Sequence, residues 1–348
     1  MTQRSFGRLL DVLLIVLGFS FKTTSVMSQD SLSRYEFSRV EMAVDFRIAL
    51  YGSTSEAANK AAQSAFDRIK QLNDIMSDYD SNSELMRLCS ASGPGKPIVV
   101  SSDLFTVLEH AQQVSKQSYG AFDVTVGPLT KLWRRARRQK EIPPANDLSA
   151  ARELIGFQFV KLEAHKRTVE LLKEGMRLDL GGIAKGYASD QALAVLKQHG
   201  ITSALVAAAG DIAVSSPPPD KTHWEVAVES LTRRNEPDLF LKLANQAVST
   251  SGDAYQFVEI DGQRYSHIVD PKTGIGLSHR SSVTVIASTG MQADALATAM
   301  SVVGPDQALK LLTHEQSVSC QALILSLDDT GSVQRRQSPG FEKFIRMK

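Results

Sequence analysis

The chain has 348 residues, 43% hydrophobic and 22% charged, the usage of an ordinary soluble globular protein with enough length for a substantial core in one large domain or two modest ones. Its 39 Lys and Arg nearly cancel its 38 Asp and Glu, leaving a formal charge of +1. The basic excess of a nucleic-acid-binding surface is missing, so nucleic acid is not an expected partner.

At the N-terminus, Arg4 and Arg8 precede an apolar run from Leu9 to Phe21, broken only by Asp11, Gly18 and Ser20. Small residues follow, with Val26 and Ser28 placed for a cut before Gln29. Basic flank, short apolar run and small residues predict a secretory signal over 1–28 and a mature chain over 29–348. The run is shorter than the ~20 apolar residues a membrane-spanning helix needs; an uncleaved anchor or a buried N-terminal helix is the other reading. No cysteine stands near its end, so a lipoprotein is not expected. The two cysteines, Cys89 and Cys320, could pair after export, but two so far apart are more often simply buried.

From Val40 to Leu50, alternation of Val40, Met42, Val44, Phe46, Ile48 and Leu50 predicts one strand. Ala58, Ala61, Ala62, Ala65, Ile69, Leu72 and Met76 recur at helical spacing, and a loop with Ser81, Asn82, Gly93, Pro94, Gly95 and Pro97 follows. A second helix is predicted from Asp103, as N-cap, to Ser118. Met176 to Leu180 reads as a short strand entering Gly181-Gly182, then a helix through Ala184 and Leu196 that Gly200 stops. Ser203 to Ala208 reads as a buried strand. Phe257–Ile260 and 264–269 flank Asp261-Gly262, a hairpin turn signal. A strand at 282–287, a helix at 291–303 and a last strand at 320–327 complete the pattern. Interleaved elements without a regular parallel repeat predict an α+β fold.

Four segments carry chemistry. In the first, 178–187, a glycine pair at a helix N-terminus lets a phosphate approach free N–H groups. Lys185 adds a positive charge there, and loop carbonyls could meet a hard cation. The same pattern also makes a tight strand–helix connection. In the second, Asp294 and Thr298 share a helix face at i and i+4, which suits one magnesium ion or a mere N-cap or surface pairing. In the third, 265–274, His267 stands at a strand end as a candidate base, beside an Asp270-Pro271 turn that Asp270 could simply cap. In the fourth, 119–129, glycines admit a flat ligand near Phe122, a residue that also suits a core.

In this order and together with Gly210-Asp211-Ile212 and 248–253, the segments resemble the ApbE family of FAD:protein FMN transferases, over nearly the whole mature chain from about Val40 to Leu327. The resemblance implies a single α+β catalytic domain of two intimately packed lobes, with mixed or antiparallel sheets and flanking helices. It implies that Met42, Tyr79, Ala121, Phe122, Asp123, Asp179, Lys185 and Ile268 contact FAD. Asp294, Thr298 and the Gly182 carbonyl match its Mg²⁺ site, and His267 matches a position near the transferred phosphate. The implied reaction moves FMN from FAD to a Thr or Ser hydroxyl of an acceptor protein and releases AMP. The family's usual acceptors belong to membrane-bound, sodium- or proton-coupled redox complexes, presented outside the cytoplasm. The implied location is therefore periplasmic or on the non-cytoplasmic side of the inner membrane.

Three departures stand out. Met42-Ala43-Val44 replaces the usual Met-Gly-Thr, and Ala208-Ala209-Gly210-Asp211 stands where Gly-Gly-Asp is usual. The aromatic stretch after Ser-Thr-Ser-Gly is thinned to 253–257. Two other readings remain open at this level: an FAD pyrophosphatase giving FMN and AMP, and a flavin-binding protein without turnover. The basic run at 134–140 reads as a solvated face, or as contact with acidic lipid or an acidic acceptor.

Overall fold

The computed structural model describes residues 32–346 apart from 230, 232–236, 253–255, 314–318 and 329; the predicted signal at 1–28 lies outside them. The chain enters through two strands, β1 (Ser33–Glu41) and β2 (Val44–Gly52), where one was predicted. It reverses at Met42 and Ala43, both at positive φ (48° and 61°). Apolar alternation runs on through this turn, which lacks the Asn, Asp or Gly that usually marks one. Val40 consequently lies 72% exposed instead of sharing the buried face of Phe46 and Ile48.

Thr54 caps α1 (Ser55–Met76), accepting from the Ala57 N–H at 3.1 Å, and all seven apolar positions foreseen for this helix are buried. A short helix, α2 (Glu84–Ala91), lies inside the stretch predicted as loop. Eight residues give too little periodicity to stand out from the flanking Gly and Pro, but Leu85, Met86 and Leu88 reach the core. After β3 (Ile98–Val99) comes α3 (Ser102–Gln117). Its cap is Ser101 rather than Asp103. The Asp103 carboxylate instead pairs with Arg68 at 2.5 Å and accepts from the Tyr187 hydroxyl at 2.7 Å.

Next come α4 (Gly127–Gln139), α5 (Ala145–Glu153), β4 (Val160–Glu163) and β5 (Thr168–Leu171). Residues 176–180, predicted as a short strand, join no sheet. They are held crosswise, by the Asp179 N–H on the Val124 carbonyl at 2.8 Å and the Leu178 N–H on Cys89 Sγ at 3.3 Å. Both cysteines are free. Helix α6 (Ala184–Gln198) ends before Gly200, whose φ of 79° reverses the chain. Strands β6 (Ala204–Ala208), β7 (Asp211–Val214), β8 (Trp224–Glu229), β9 (Pro237–Leu243) and β10 (Gln246–Gly252) follow. The Asp261-Gly262 turn joins β11 (Phe257–Ile260) to β12 (Gln263–Ser266), which stops short of the predicted Val269. Then come β13 (Ser281–Ala287), α7 (Gly290–Val303), β14 (Gln321–Leu327) and β15 (Val333–Gln337), the last lying beyond the final predicted strand.

Eight of these strands form one antiparallel sheet in the order β1-β2-β6-β7-β10-β13-β14-β15. Its strands alternate between two cores. Phe46, Ile48, Val206, Val283, Val285 and Ile324 pack under α1, α3, α6 and α7. Val248, Ile286, Leu323 and Leu325 face the opposite way, under the β8–β9 hairpin and Phe341. Both faces are covered, so β13 is buried along its whole length, which hides the usual alternation of an antiparallel strand. A smaller cluster joins Trp133 and Leu129 of α4 to Val258 and Ile260 of β11. The result is the α+β architecture read from the sequence.

Candidate active site

A cavity of about 1380 Å³ opens where the loops between these layers meet. All twelve residues singled out in the sequence line it: Met42, Tyr79, Ala121, Phe122, Asp123, Asp179, Gly182, Lys185, His267, Ile268, Asp294 and Thr298. They come from six chain segments and meet only through the tertiary fold.

Its most charged corner lies between α6 and α7. Helix α6 starts without a side-chain cap, leaving its N-terminal dipole facing the cavity. Asp294 is 2% exposed, and its Oδ2 accepts the Gly186 N–H at 3.2 Å. Lys185 Nζ lies 2.8 Å from Asp211 Oδ2 and 3.6 Å from Asp294 Oδ2. It also donates to the Gly181 carbonyl at 3.2 Å. Burial, then the Asp211 charge, push the Asp294 carboxyl above its usual range. Burial alone would lower the Lys185 ammonium, but the Asp211 and Asp294 carboxylates outweigh it and raise it. Two buried carboxyl groups share one ammonium, so ionising both would leave the corner one positive charge short.

Thr298 sits one turn beyond Asp294, with Oγ1 3.4 Å from Ser251 Oγ. A Cβ on Gly182 would stand 2.9 Å from that Oγ1, so any larger residue here would push the threonine side chain aside. Carboxylate, hydroxyl and adjacent backbone make an all-oxygen donor set, which fits a hard cation such as magnesium. Among the described residues no group of three or more His, Cys, Asp or Glu is placed to hold a metal ion, so a cation here would rest on one carboxylate with hydroxyl and carbonyl oxygens.

Asp190 fixes the approach of the two helices. Its carboxylate accepts the Gly290 and Met291 N–H groups at 2.7 and 2.9 Å, tying α6 to the N-terminus of α7. Burial raises its pKa to about 6. The helices cross at Gly186 and Gly290, where a Cβ on Gly186 would fall 2.1 Å from the Gly290 carbonyl oxygen.

On another wall, His267 Nδ1 lies 3.1 Å from the Gln256 carbonyl, which also accepts the His267 backbone N–H at 2.9 Å. A carbonyl can only accept, so the neutral ring carries its proton on Nδ1 and its lone pair on Nε2. Asp270 closes the following turn, accepting the Lys272 N–H at 2.9 Å, which is the capping role left open for it.

Asp123 lines the cavity, yet both its carboxylate oxygens are engaged in the loop. One accepts from the Thr125 N–H and hydroxyl at 2.8 and 2.6 Å, the other from the Phe157 N–H at 2.7 Å. Phe122 belongs to the main core as well as to the cavity wall.

Sequence reasoning missed two charged residues here. Asp211 is 4% exposed, bound to Lys185 and to the Ser249 hydroxyl at 2.5 Å; its place in the Gly210-Asp211 motif was the available signal. Arg134 belongs to the basic run read as a solvated face or as contact with acidic lipid or an acidic acceptor. It turns inward, pairing with Asp78 at 2.5 Å and Asp179 at 3.0 Å while its guanidinium stacks 4.0 Å over the Tyr79 ring. The burial of Leu129, Trp133 and Ala136 on α4 orients it, but no local pattern marks its partners. Arg135 and Arg138 do face solvent.

Residues 42–324 match the profile of the ApbE family. A curated FAD:protein FMN transferase of Haemophilus influenzae is 32% identical over 304 residues, covering 85% of this chain and 87% of that one. One from Vibrio cholerae is 32% identical over 281 residues, covering 79% and 83%. The solved structure of flavin transferase ApbE from Vibrio cholerae aligns with a TM-score of 0.80 at 29% identity, over 90% of this chain and 99% of that one. With sequence and architecture agreeing over this extent, the chain belongs to the ApbE family.

Proposed function

We propose that this chain is an exported, magnesium-dependent FAD:protein FMN transferase that modifies a Thr or Ser hydroxyl. The observation that carries this reading is the meeting of an oxygen-lined corner with two buried carboxyl groups, a lysine and a histidine in one cavity. Asp294, Thr298 and the Gly182 carbonyl would hold magnesium, which when bound neutralises charge on a pyrophosphate. Lys185 adds its ammonium to the same charge, and Arg134 holds Asp179 and Tyr79 in place along the wall. His267 accepts the proton of the acceptor hydroxyl on Nε2. The hydroxyl oxygen forms a bond to the FMN-side phosphorus, the bond from that phosphorus to the bridging oxygen breaks, and AMP leaves with that oxygen.

The basic flank and apolar run at 1–28 support export, and with it an acceptor presented on the non-cytoplasmic side in a membrane redox complex. Among the described residues no helix is long and apolar enough to cross a membrane.

The test is mass spectrometry of the mature protein with FAD, Mg²⁺ and a threonine-bearing acceptor fragment, with and without EDTA. An acceptor gain equal to FMN that EDTA abolishes is expected, and His267→Asn should slow it roughly 10²–10⁴-fold. Free FMN and AMP without an adduct would make the protein a pyrophosphatase; unaltered FAD would make it a carrier.

A further inference from the structure

The cavity continues past the charged corner to the other face of the sheet. On β10, Ser249 and Ser251 face the helices, where they meet Asp211 and Thr298. Val248 and Thr250 face the β8–β9 hairpin, and the cavity is lined from both sides. The passage lies at the tip of the β6–β7 hairpin. That hairpin ends at the Ala208–Asp211 pair, whereas β10 and β13 stay paired out to Gly252 and Ser282. The Gly210 carbonyl still accepts the Thr250 N–H at 3.0 Å, so the sheet is notched only beyond this tip, beside Ser251 and Gly252, and the cavity wraps around it there.

We propose that this second arm, beneath the β8–β9 hairpin, is the docking groove for the acceptor polypeptide that carries the modified hydroxyl. The inference rests on the transferase reading above. Its floor is a strip of half-buried aliphatic side chains, Leu205, Ala207 and Ile212, on a sheet face otherwise sealed by the hairpin. Arg47, paired with Asp45 at 2.7 Å, and the exposed Glu225, paired with Arg346 at 3.0 Å, give it a polar rim. An apolar floor with a polar rim is the pattern of a peptide-binding surface.

Two further points favour a polypeptide over more of the dinucleotide. None of the residues matched to FAD lies on the strip of Leu205, Ala207 and Ile212, so the arm is left to a second substrate. In-line displacement at phosphorus needs the nucleophile and leaving group on opposite sides, and a cavity wrapped around the hairpin tip gives each its own approach.

The test compares the full-length protein with two variants, Ile212→Gln, which makes the floor polar, and Ala207→Phe, which fills it. The probe is a synthetic peptide with one central threonine between small and aliphatic residues, supplied with FAD and Mg²⁺. Thermal midpoints identify any variant that fails to fold, and the two changes act by different routes. Each folded variant should lose about tenfold in kcat/KM for the peptide. FAD affinity, read by flavin fluorescence, should stay within about twofold, a few tenths of a kcal/mol. Unchanged peptide kinetics, or a parallel loss of FAD affinity, would overturn the proposal. Wild-type protein that cleaves FAD and leaves the peptide unmodified would refute the transfer reading itself and remove the arm's occupant with it.

Discussion

The crossing of α6 and α7 sets the position of Asp294, so a single methyl group there should be felt at the metal site. In Gly186→Ala the new Cβ would lie 2.1 Å from the Gly290 oxygen, 2.4 Å from its carbon and 2.9 Å from Asp294 Cβ. Two of these neighbours are backbone, and Asp190 pins that backbone through two hydrogen bonds, so relief requires the helices to part. Alanine gains about 1 kcal/mol of helix propensity over glycine. Overpacking a rigid contact costs about 1–3 kcal/mol, occasionally more, and a backbone clash this short belongs at the upper end. The net loss should be about 2 kcal/mol, roughly 3 °C in the thermal midpoint for a chain of this length.

A shift of about 1 Å at a reacting group can cost about 10²-fold in rate. FAD turnover should therefore fall more than stability alone explains, with the Mg²⁺ concentration for half-maximal rate rising. Differential scanning fluorimetry and an Mg²⁺ titration of AMP release measure both. Gly93→Ala is the control, since a Cβ there meets nothing within 4 Å. A Gly186→Ala protein as stable as the wild type, with the same Mg²⁺ curve, would refute the packing argument.

Two further outcomes follow from the same structure. The folded pKa of Asp190 is raised to about 6 from 3.8. Its contribution is therefore fully present below about pH 3.8 and declines as pH rises through about 6. The advantage of wild type over Asp190→Asn in thermal midpoint should shrink between those values; an advantage that grows would contradict the assignment. Ala43 holds a φ of 61° in the β1–β2 turn, which costs an L-residue about 1–2 kcal/mol. Ala43→Gly should raise the midpoint by an amount corresponding to under about 1 kcal/mol after the added chain entropy of glycine, and a lowered midpoint would count against the turn geometry.

The sequence alone determined the features that depend on near neighbours along the chain. The spacing of Ala58 to Met76 gave α1, the Asp261-Gly262 pair gave its hairpin, and the i, i+4 relation put Asp294 and Thr298 on one helix face. The ordered motifs carried the family resemblance through which the twelve cavity residues were named, and only the tertiary fold brings their six segments together. What depends on distant partners was not legible. The alternation through Met42 and Ala43 concealed a reversal, since the pattern of a strand and of a tight hairpin differ only in the turn residues. Helix α2 needed a core to pack on, and β15 needed the exposed edge of β14.

Arg134 reads as one more solvated arginine until the fold brings Asp78 and Asp179 to it. Asp211 reads as a turn residue until burial beside Lys185 and Asp294 makes its charge count. Local periodicity is written into the backbone, whereas charge balance is decided by which side chains the fold buries together and how little water remains between them.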